Sequence, residues 1–324
     1  MTKGKKITIW ILAIVLVVIL GALGGAYVYG NHLFNKLEKV EIDKEDIGIT
    51  EEVEEKLSQY SNSIINIALF GVDAVDGDVG RSDSIMIATI DTVHKKIKLT
   101  SIMRDSYVAI DGHGNDKLNH AYAFGGPQLA IKTLNENFDL NIEDFASVNF
   151  ETLPKIIDEL GGIELEIDED ELEYVNGYTA HLTSINGTSE PALESAGLQH
   201  VSGTQALAYC RIRYTSGGDY KRTERHREVL TEIFKKIETI PVTSYPSLLS
   251  EILPMVNTSL DYNEILELGT EVLKLGDSSL QLERFPRDEY CEGKMISGVY
   301  YLTFHKEITV EQLHNYIFED QITW

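Results

Sequence analysis

An α/β layered domain, with helices on both faces of one sheet, is the fold class that this sequence predicts. Three observations carry that expectation. Runs rich in Ile, Leu and Met, bounded by Gly, Asp and Lys, read as strands at residues 64–70, 84–90 and 96–102. Segments of helical periodicity follow them and alternate with further strands. At 324 residues and 43% apolar content the chain can bury one large core, and at most two domains.

Taken in order, Lys3, Lys5 and Lys6 precede an uncharged, mainly apolar run over residues 7–29. As a helix that run is about 35 Å long and crosses a bilayer's hydrocarbon core. Trp10 near one end and Tyr27 and Tyr29 near the other fit interfacial anchors. The positive-inside bias leaves residues 1–6 in the cytoplasm and everything after Tyr29 outside. A cleaved signal peptide ending near Gly24, Gly25 and Ala26 is the rival, but the apolar run continues past that point, which favours a retained anchor. Residues 30–63 are polar and charge-rich and read as an extracellular stalk with local structure, a short strand at 40–42 and a helix at 51–60.

Beyond the first three strands, residues 117–124 and 127–138 read as helices, 145–150 as a strand, 153–160 as a helix ended by Gly161 and Gly162, and 163–167 as another strand. Residues 168–197 read as loop-rich, and the nine acids between Asp158 and Glu173 as solvated surface. Ser202 is placed to cap a helix through Tyr209, and Asp219 to cap one over 220–238 whose apolar face is Val229, Leu230, Ile233, Phe234 and Ile237. Helices at 247–255 and 262–275 precede a strand at 280–285.

Charge narrows the function. The chain carries a net charge of −24, yet from His200 through Arg227 six basic residues (Arg211, Arg213, Lys221, Arg222, Arg225, Arg227) face two acids (Asp219, Glu224). A compact cationic site on an anionic surface fits a small polyanion such as a pyrophosphate, and argues against a nucleic-acid groove, which needs a long basic stripe. If residues 209–213 are extended, Arg211 and Arg213 point to one face. Arg222 and Arg225, spaced i, i+3 on the next helix, share a side and can join them. Arginine's planar fork suits phosphate oxygens.

Upstream, Asp73 ends one strand and Asp83 begins the next, with Asp76 and Asp78 between them. Two carboxylates with phosphate oxygens and water can hold Mg²⁺, although turn-forming aspartates are common on their own account. Arg104 and Asp105 follow a buried-looking strand, where open α/β sheets place ligands. Lys117, Asn119 and His120 sit at a helix start, which favours anions. The sequence contains no CxxC, HExxH, GxSxG or GxxxxGK, which removes most zinc, serine-hydrolase and NTPase readings. Two cysteines, Cys210 and Cys291, do not establish a disulfide.

The blocks NIALFGVD, GRSDSIMIATI, SIMRDSYV, DKLNHAYAFGG, VNFETLPKIIDELGGIELEI, GLQHVSGTQALAYCRIRY and DYKRTERHREVL, spread over residues 66–230, resemble in order those of the LytR-CpsA-Psr family. That resemblance implies a three-layer α/β/α sandwich with a central mixed sheet over residues 64–324, held on the outer face of a Gram-positive membrane. It also implies transfer of an anionic glycopolymer, of teichoic acid or capsule type, from polyprenyl pyrophosphate onto peptidoglycan through a phosphodiester bond. By position, Asp73 and Asp83 would hold Mg²⁺ (or Mn²⁺), Arg104, Arg211, Arg213, Arg222 and Arg225 would grip the pyrophosphate, and Arg81, Asp105 and Lys117 would complete the site. His226 stands where the family usually has Gln, and no basic residue precedes Asp219 in the turn over residues 215–218.

A sugar hydroxyl of peptidoglycan would then attack the polymer-bearing phosphorus, with polyprenyl phosphate leaving and Asp105 the leading candidate for base. Two alternatives stay open at this point. The same site could hydrolyse the lipid pyrophosphate with water, or a tethered regulatory protein could hold that lipid without turnover.

Overall fold

The computed structural model describes residues 38–60, 63–74, 79–215, 217–241, 244–275 and 279–323. The expected membrane span over residues 7–29 lies outside them, as do Asp76 and Asp78. Among the described residues no helix is long and apolar enough to cross a membrane. In chain order the elements are β1 (Glu38–Lys39), α1 (Glu51–Leu57), β2 (Ile64–Asp73), β3 (Arg81–Asp91), β4 (Lys96–Ile102), β5 (Tyr107–Ile110), β6 (Gly114–Lys117), α2 (Leu118–Phe138), β7 (Asp144–Asn149), α3 (Thr152–Glu159), β8 (Ile163–Ile167), α4 (Glu169–Asn186), β9 (Gly197–Val201), α5 (Gly203–Cys210), α6 (Gly218–Thr239), α7 (Tyr245–Ile252), β10 (Asn257–Thr258), α8 (Tyr262–Leu275), β11 (Ser279–Phe285), β12 (Cys291–Ile296), β13 (Val299–Phe304) and α9 (Lys306–Glu319).

The central sheet runs β1-β10-β7-β2-β3-β4-β11 and is mixed. β2, β3 and β4 are joined by short connections and pair antiparallel, as hairpins must. β7 and β11 return through helical segments and lie parallel to β2 and β4. Successive side chains of a strand face opposite ways. Thus Ala68, Phe70 and Phe145 pack with α1, α2 and α9 in one buried cluster, while Ile65, Ile90 and Ile97 meet Phe234 of α6 and Leu268 and Val272 of α8 on the other face. A fully buried ring such as Phe145 stabilises the fold by about 1.5–3 kcal/mol. Both faces are covered, which explains the near-continuous apolar strands.

Three expectations need correction. Residues 38–60 are not a free stalk: β1 pairs with β10, and Ile47, Val53 and Leu57 are buried in the main core. The strand lies at Glu38–Lys39 instead of 40–42. Residues 169–186 form α4 instead of loop, because Glu171 turns inward to 1% exposure, its Oε2 accepting the Asp168 N–H at 3.0 Å. The two helices expected at 117–124 and 127–138 meet within α2 at Gly125 and Gly126, whose backbone is not helical, and Ser202 caps α5, accepting from the Gln205 N–H; both agree with the sequence reading.

Candidate active site

The β2–β3 hairpin sets the geometry. Its register places Asp73 opposite Arg81, after an irregularity at Gly71/Val72. Gly80 closes the turn at φ +63°, where a Cβ would stand 2.4 Å from the Asp73 carbonyl oxygen, so only glycine fits. Asp83, three residues after Gly80, is 6% exposed and accepts from Arg104 Nη1 at 2.8 Å and Asn119 Nδ2 at 3.1 Å through Oδ1. Arg222 Nη2 lies 3.3 Å and Arg213 Nη2 3.6 Å from its Oδ2, and Arg222 Nη2 donates to the Asp83 carbonyl oxygen at 3.1 Å. Burial pushes the Asp83 carboxyl up, but Arg104 and Arg222 outweigh burial and hold it below the usual range. Asp83 Oδ2, Asn119 Oδ1 and Arg222 Nη1 are nonetheless buried without hydrogen-bond partners.

Several arginines reach this point by a route the sequence did not show. Residues 209–213 are not extended. Tyr209 and Cys210 end α5, Arg211 is its helical C-cap, and Arg213 follows in irregular chain. Arg211, over the Phe150 ring at 5.2 Å, still lines one cavity together with Arg213, Arg222, Asp73 and Asp83. Arg225 departs from the expected set. It is 1% exposed, its guanidinium bound to Glu171 Oε1 at 2.8 Å, the Ile212 carbonyl oxygen at 3.3 Å and Thr215 Oγ1 at 2.5 Å. Its charge is spent on fixing the segment that carries Arg213. Asp219 is not the cap of α6, which begins at Gly218; its carboxylate instead lies 3.0 Å from Arg104 Nη2 and 3.5 Å from Arg222 Nη1.

Arg104 is thus held by Asp83, Asp219 and Asp105. Asp105 also binds Lys117 Nζ at 2.8 Å, and neither Asp105 nor Lys117 lines the cavity. Arg81, opposite Asp73 in the hairpin register, is exposed and does not line the cavity. His120 pairs with Asp116 at 2.8 Å.

The cavity measures about 290 Å³. Its charged end meets an apolar length walled by Leu69, Met86 and Val148 of the sheet, Leu153 of α3, Leu207 of α5, and Val229, Leu230 and Ile233 of α6. The apolar stripe of α6 is therefore groove wall and core at once: Val229, 1% exposed, and Ile233 also pack in the cluster around α5, Phe234 packs on the sheet, and Ile237, expected on the same face, is exposed. His226 also lines the cavity, between Arg222 and Val229 in the sequence of α6; its Nε2 lies 3.1 Å from the Cys210 carbonyl oxygen. Deep placement, then the Arg222 charge, lowers its pKa to about 3, so the ring is neutral, although its edge remains part-exposed on the cavity wall. Both described cysteines are free, Cys210 buried and Cys291 half-buried.

Residues 31–316 match the LytR_cpsA_psr family. The chain belongs to that family. It is 31% identical over 310 residues, 92% of each chain, to a Bacillus cereus protein named polyisoprenyl-teichoic acid–peptidoglycan teichoic acid transferase TagU. Among solved structures it resembles protein gbs0355 of Streptococcus agalactiae, with TM-score 0.67, 26% identity, and 82% and 90% of the two chains covered. It also resembles the LytR-CPS2A-psr family protein YwtF (TagT) with bound octaprenyl pyrophosphate lipid, with TM-score 0.59, 25% identity, and 79% and 90% covered.

Proposed function

We propose that this chain transfers an anionic glycopolymer from polyprenyl pyrophosphate to peptidoglycan, forming a phosphodiester bond. One observation carries the reading: a single cavity combines an apolar lining with two aspartates and three arginines, a lining complementary to a lipid with a diphosphate head. The lipid bound in YwtF (TagT) and the activity named for TagU support it.

Transfer from a pyrophosphate passes through a loose transition state with charge spread over phosphate oxygens, so positioning and charge neutralisation dominate. In this reading Arg211, Arg213 and Arg222 face those oxygens, and Arg104, held by Asp83, Asp105 and Asp219, stands beside them. The apolar walls hold the isoprenoid chain and exclude water. Asp105, tied to Lys117 and Arg104, positions Arg104 instead of serving as the base.

Asp73 and Asp83 would hold Mg²⁺. The fit rests on Asp83 Oδ2, buried with no hydrogen-bond partner, and on Asp73 lining the same cavity. Among the described residues no group of three or more His, Cys, Asp or Glu could hold a metal, so its other ligands would be substrate oxygens and water. Bound there, the ion would supply positive charge to the transferred and leaving phosphates. We further assign residues 7–29 as a membrane anchor, lysines inside and the domain outside, which places the cavity beside its lipid donor.

The test incubates the full chain in detergent micelles with a polyprenyl-pyrophosphate-linked glycan, with and without peptidoglycan oligomers and Mg²⁺. A glycan–peptidoglycan adduct that needs both is expected and is abolished by EDTA. Free polymer would establish a hydrolase, and binding without turnover a tethered lipid-pyrophosphate receptor.

A further inference from the structure

Beyond the charged end of the cavity the surface carries a group of tyrosines that the donor does not require. The β12–β13 hairpin is fixed against the site, the Leu302 N–H donating to the Asp105 carbonyl oxygen at 2.8 Å and Ser106 bridging Leu302. Tyr300 on this hairpin is 44% exposed and feels the charges of Asp105 and Asp219, two of the three carboxylates that hold Arg104. Tyr301 packs edge-on to Tyr107 with centroids 4.8 Å apart and donates to Asp116 Oδ1 at 3.2 Å. Lys117 Nζ lies 5.9 Å from the ring centres of both Tyr300 and Tyr301 while bound to Asp105. The Tyr300 ring lies over Gly293 of the partner strand, where a Cβ would come within 2.7 Å of it. That glycine gives the ring a seat.

Aromatic faces are electron-rich and attract the polarised C–H groups of a pyranose, while flanking carboxylates and ammonium groups bind its hydroxyls. An exposed ring seated on glycine, next to Asp105, Asp116 and Lys117, meets both requirements. A membrane-inserting hairpin calls for apolar side chains without such polar neighbours, and Met295 and Val299 alone supply them here.

We propose that Tyr300, Tyr301 and Tyr107, with Asp105 and Lys117 beside them, form the subsite that takes sugar rings of the acceptor glycan. The proposal rests on the transferase reading for the identity of that glycan, a peptidoglycan strand. The subsite leads to Arg104 and hence to Asp83, so a strand lying on it brings a hydroxyl toward the phosphate end of the cavity.

The experiment titrates the full chain in micelles with soluble peptidoglycan oligosaccharides by calorimetry, for wild type, Tyr300→Ala, Tyr300→Phe and Gly293→Ala. Binding to a polyprenyl pyrophosphate is measured in parallel. Removing the ring in Tyr300→Ala, or displacing it in Gly293→Ala, is expected to weaken the glycan by about tenfold and leave the lipid unchanged; Tyr300→Phe, which keeps the ring, stays near wild type. Gly293→Ala gives a second variant that displaces the ring without removing it, and urea unfolding of each variant separates loss of the subsite from loss of the fold. Wild-type affinity in both ring variants, no glycan binding by wild type, or a loss confined to association with anionic lipid vesicles would each overturn the subsite. Tyr300-dependent glycan binding without any adduct would sink the transferase reading and leave the subsite standing. An adduct formed with unchanged acceptor KM in Tyr300→Ala would do the reverse.

Discussion

Two buried charge clusters in this molecule differ in how they are finished. Lys98, 0% exposed in β4, gives its ammonium to Asp91 Oδ2 at 2.7 Å and to the carbonyl oxygens of Tyr316 and Ile317 at 2.9 and 3.0 Å. Those carbonyls lie in the last turn of α9, where the partial charge is negative. Every proton of the lysine has an acceptor, so the cluster is closed and structural. Asp83 is also buried, at 6% exposure, yet one of its oxygens, one Arg222 nitrogen and the Asn119 oxygen lack hydrogen bonds. Buried orphans of this kind cost free energy unless something arrives to satisfy them. One cluster holds the fold together, and the other leaves polar atoms and arginines open beside the cavity.

The largest expected effect falls on the closed cluster. Lys98→Met leaves Asp91 buried without its cation and should cost about 3–5 kcal/mol in urea unfolding, with the activity of the folded fraction unchanged. A neutral result would erase the contrast. At the open cluster Asp83→Asn should lower kcat about 10²–10³-fold, while stability falls far less than in Lys98→Met because Asp219 still pairs with Arg104 and Arg222. Transfer assays and unfolding curves on the same preparations make the comparison. Because the folded Asp83 carboxyl titrates low, its stabilisation is complete above about pH 4, the unfolded value, and is lost as pH falls further. Asp83→Asn should flatten that acid limb.

The effect that is smallest at neutral pH, growing only on acidification, concerns His226, neutral in the folded chain with a pKa of about 3. The unfolded imidazole takes up a proton near pH 6.5 and the folded one does not, so acidification from about 6.5 toward 3 favours unfolding. The contribution is at most about 1.4 kcal/mol per pH unit. His226→Gln should remove that slope between pH 6 and 4, read as the difference in urea midpoint from wild type.

Much of the site was legible because the chemistry is written in residue types at fixed spacings. Asp73 and Asp83 flank a hairpin turn whose strands had to pair, and Arg104 follows a strand whose end had to lie near them. The failures share a cause. Arg225 looked like a fourth ligand because helical spacing places it with Arg222, but its fate was decided by Glu171, 54 residues away and hidden in an acidic run. The same run masked α4, since one inward glutamate cannot be told from eight solvated acids by composition. Arg211 and Arg213 were expected on a strand and arrive on a helix C-cap and the chain after it, because packing of α5 against α4 and α3 extends the helix to Cys210. The β12–β13 hairpin carried no motif at all.

By itself the sequence determined an α/β sheet clothed on both faces, a compact basic site in an acidic chain and the aspartates and arginines that compose it, because periodicity, turn chemistry and charge are local properties. Only the tertiary structure decided which arginine is consumed by a partner and which faces the cavity. It also decided that the apolar stripe of α6 borders a groove as well as a core, and that tyrosines from distant strands meet at the rim. Those outcomes depend on neighbours brought together by folding, and no window of sequence contains both members of such a contact.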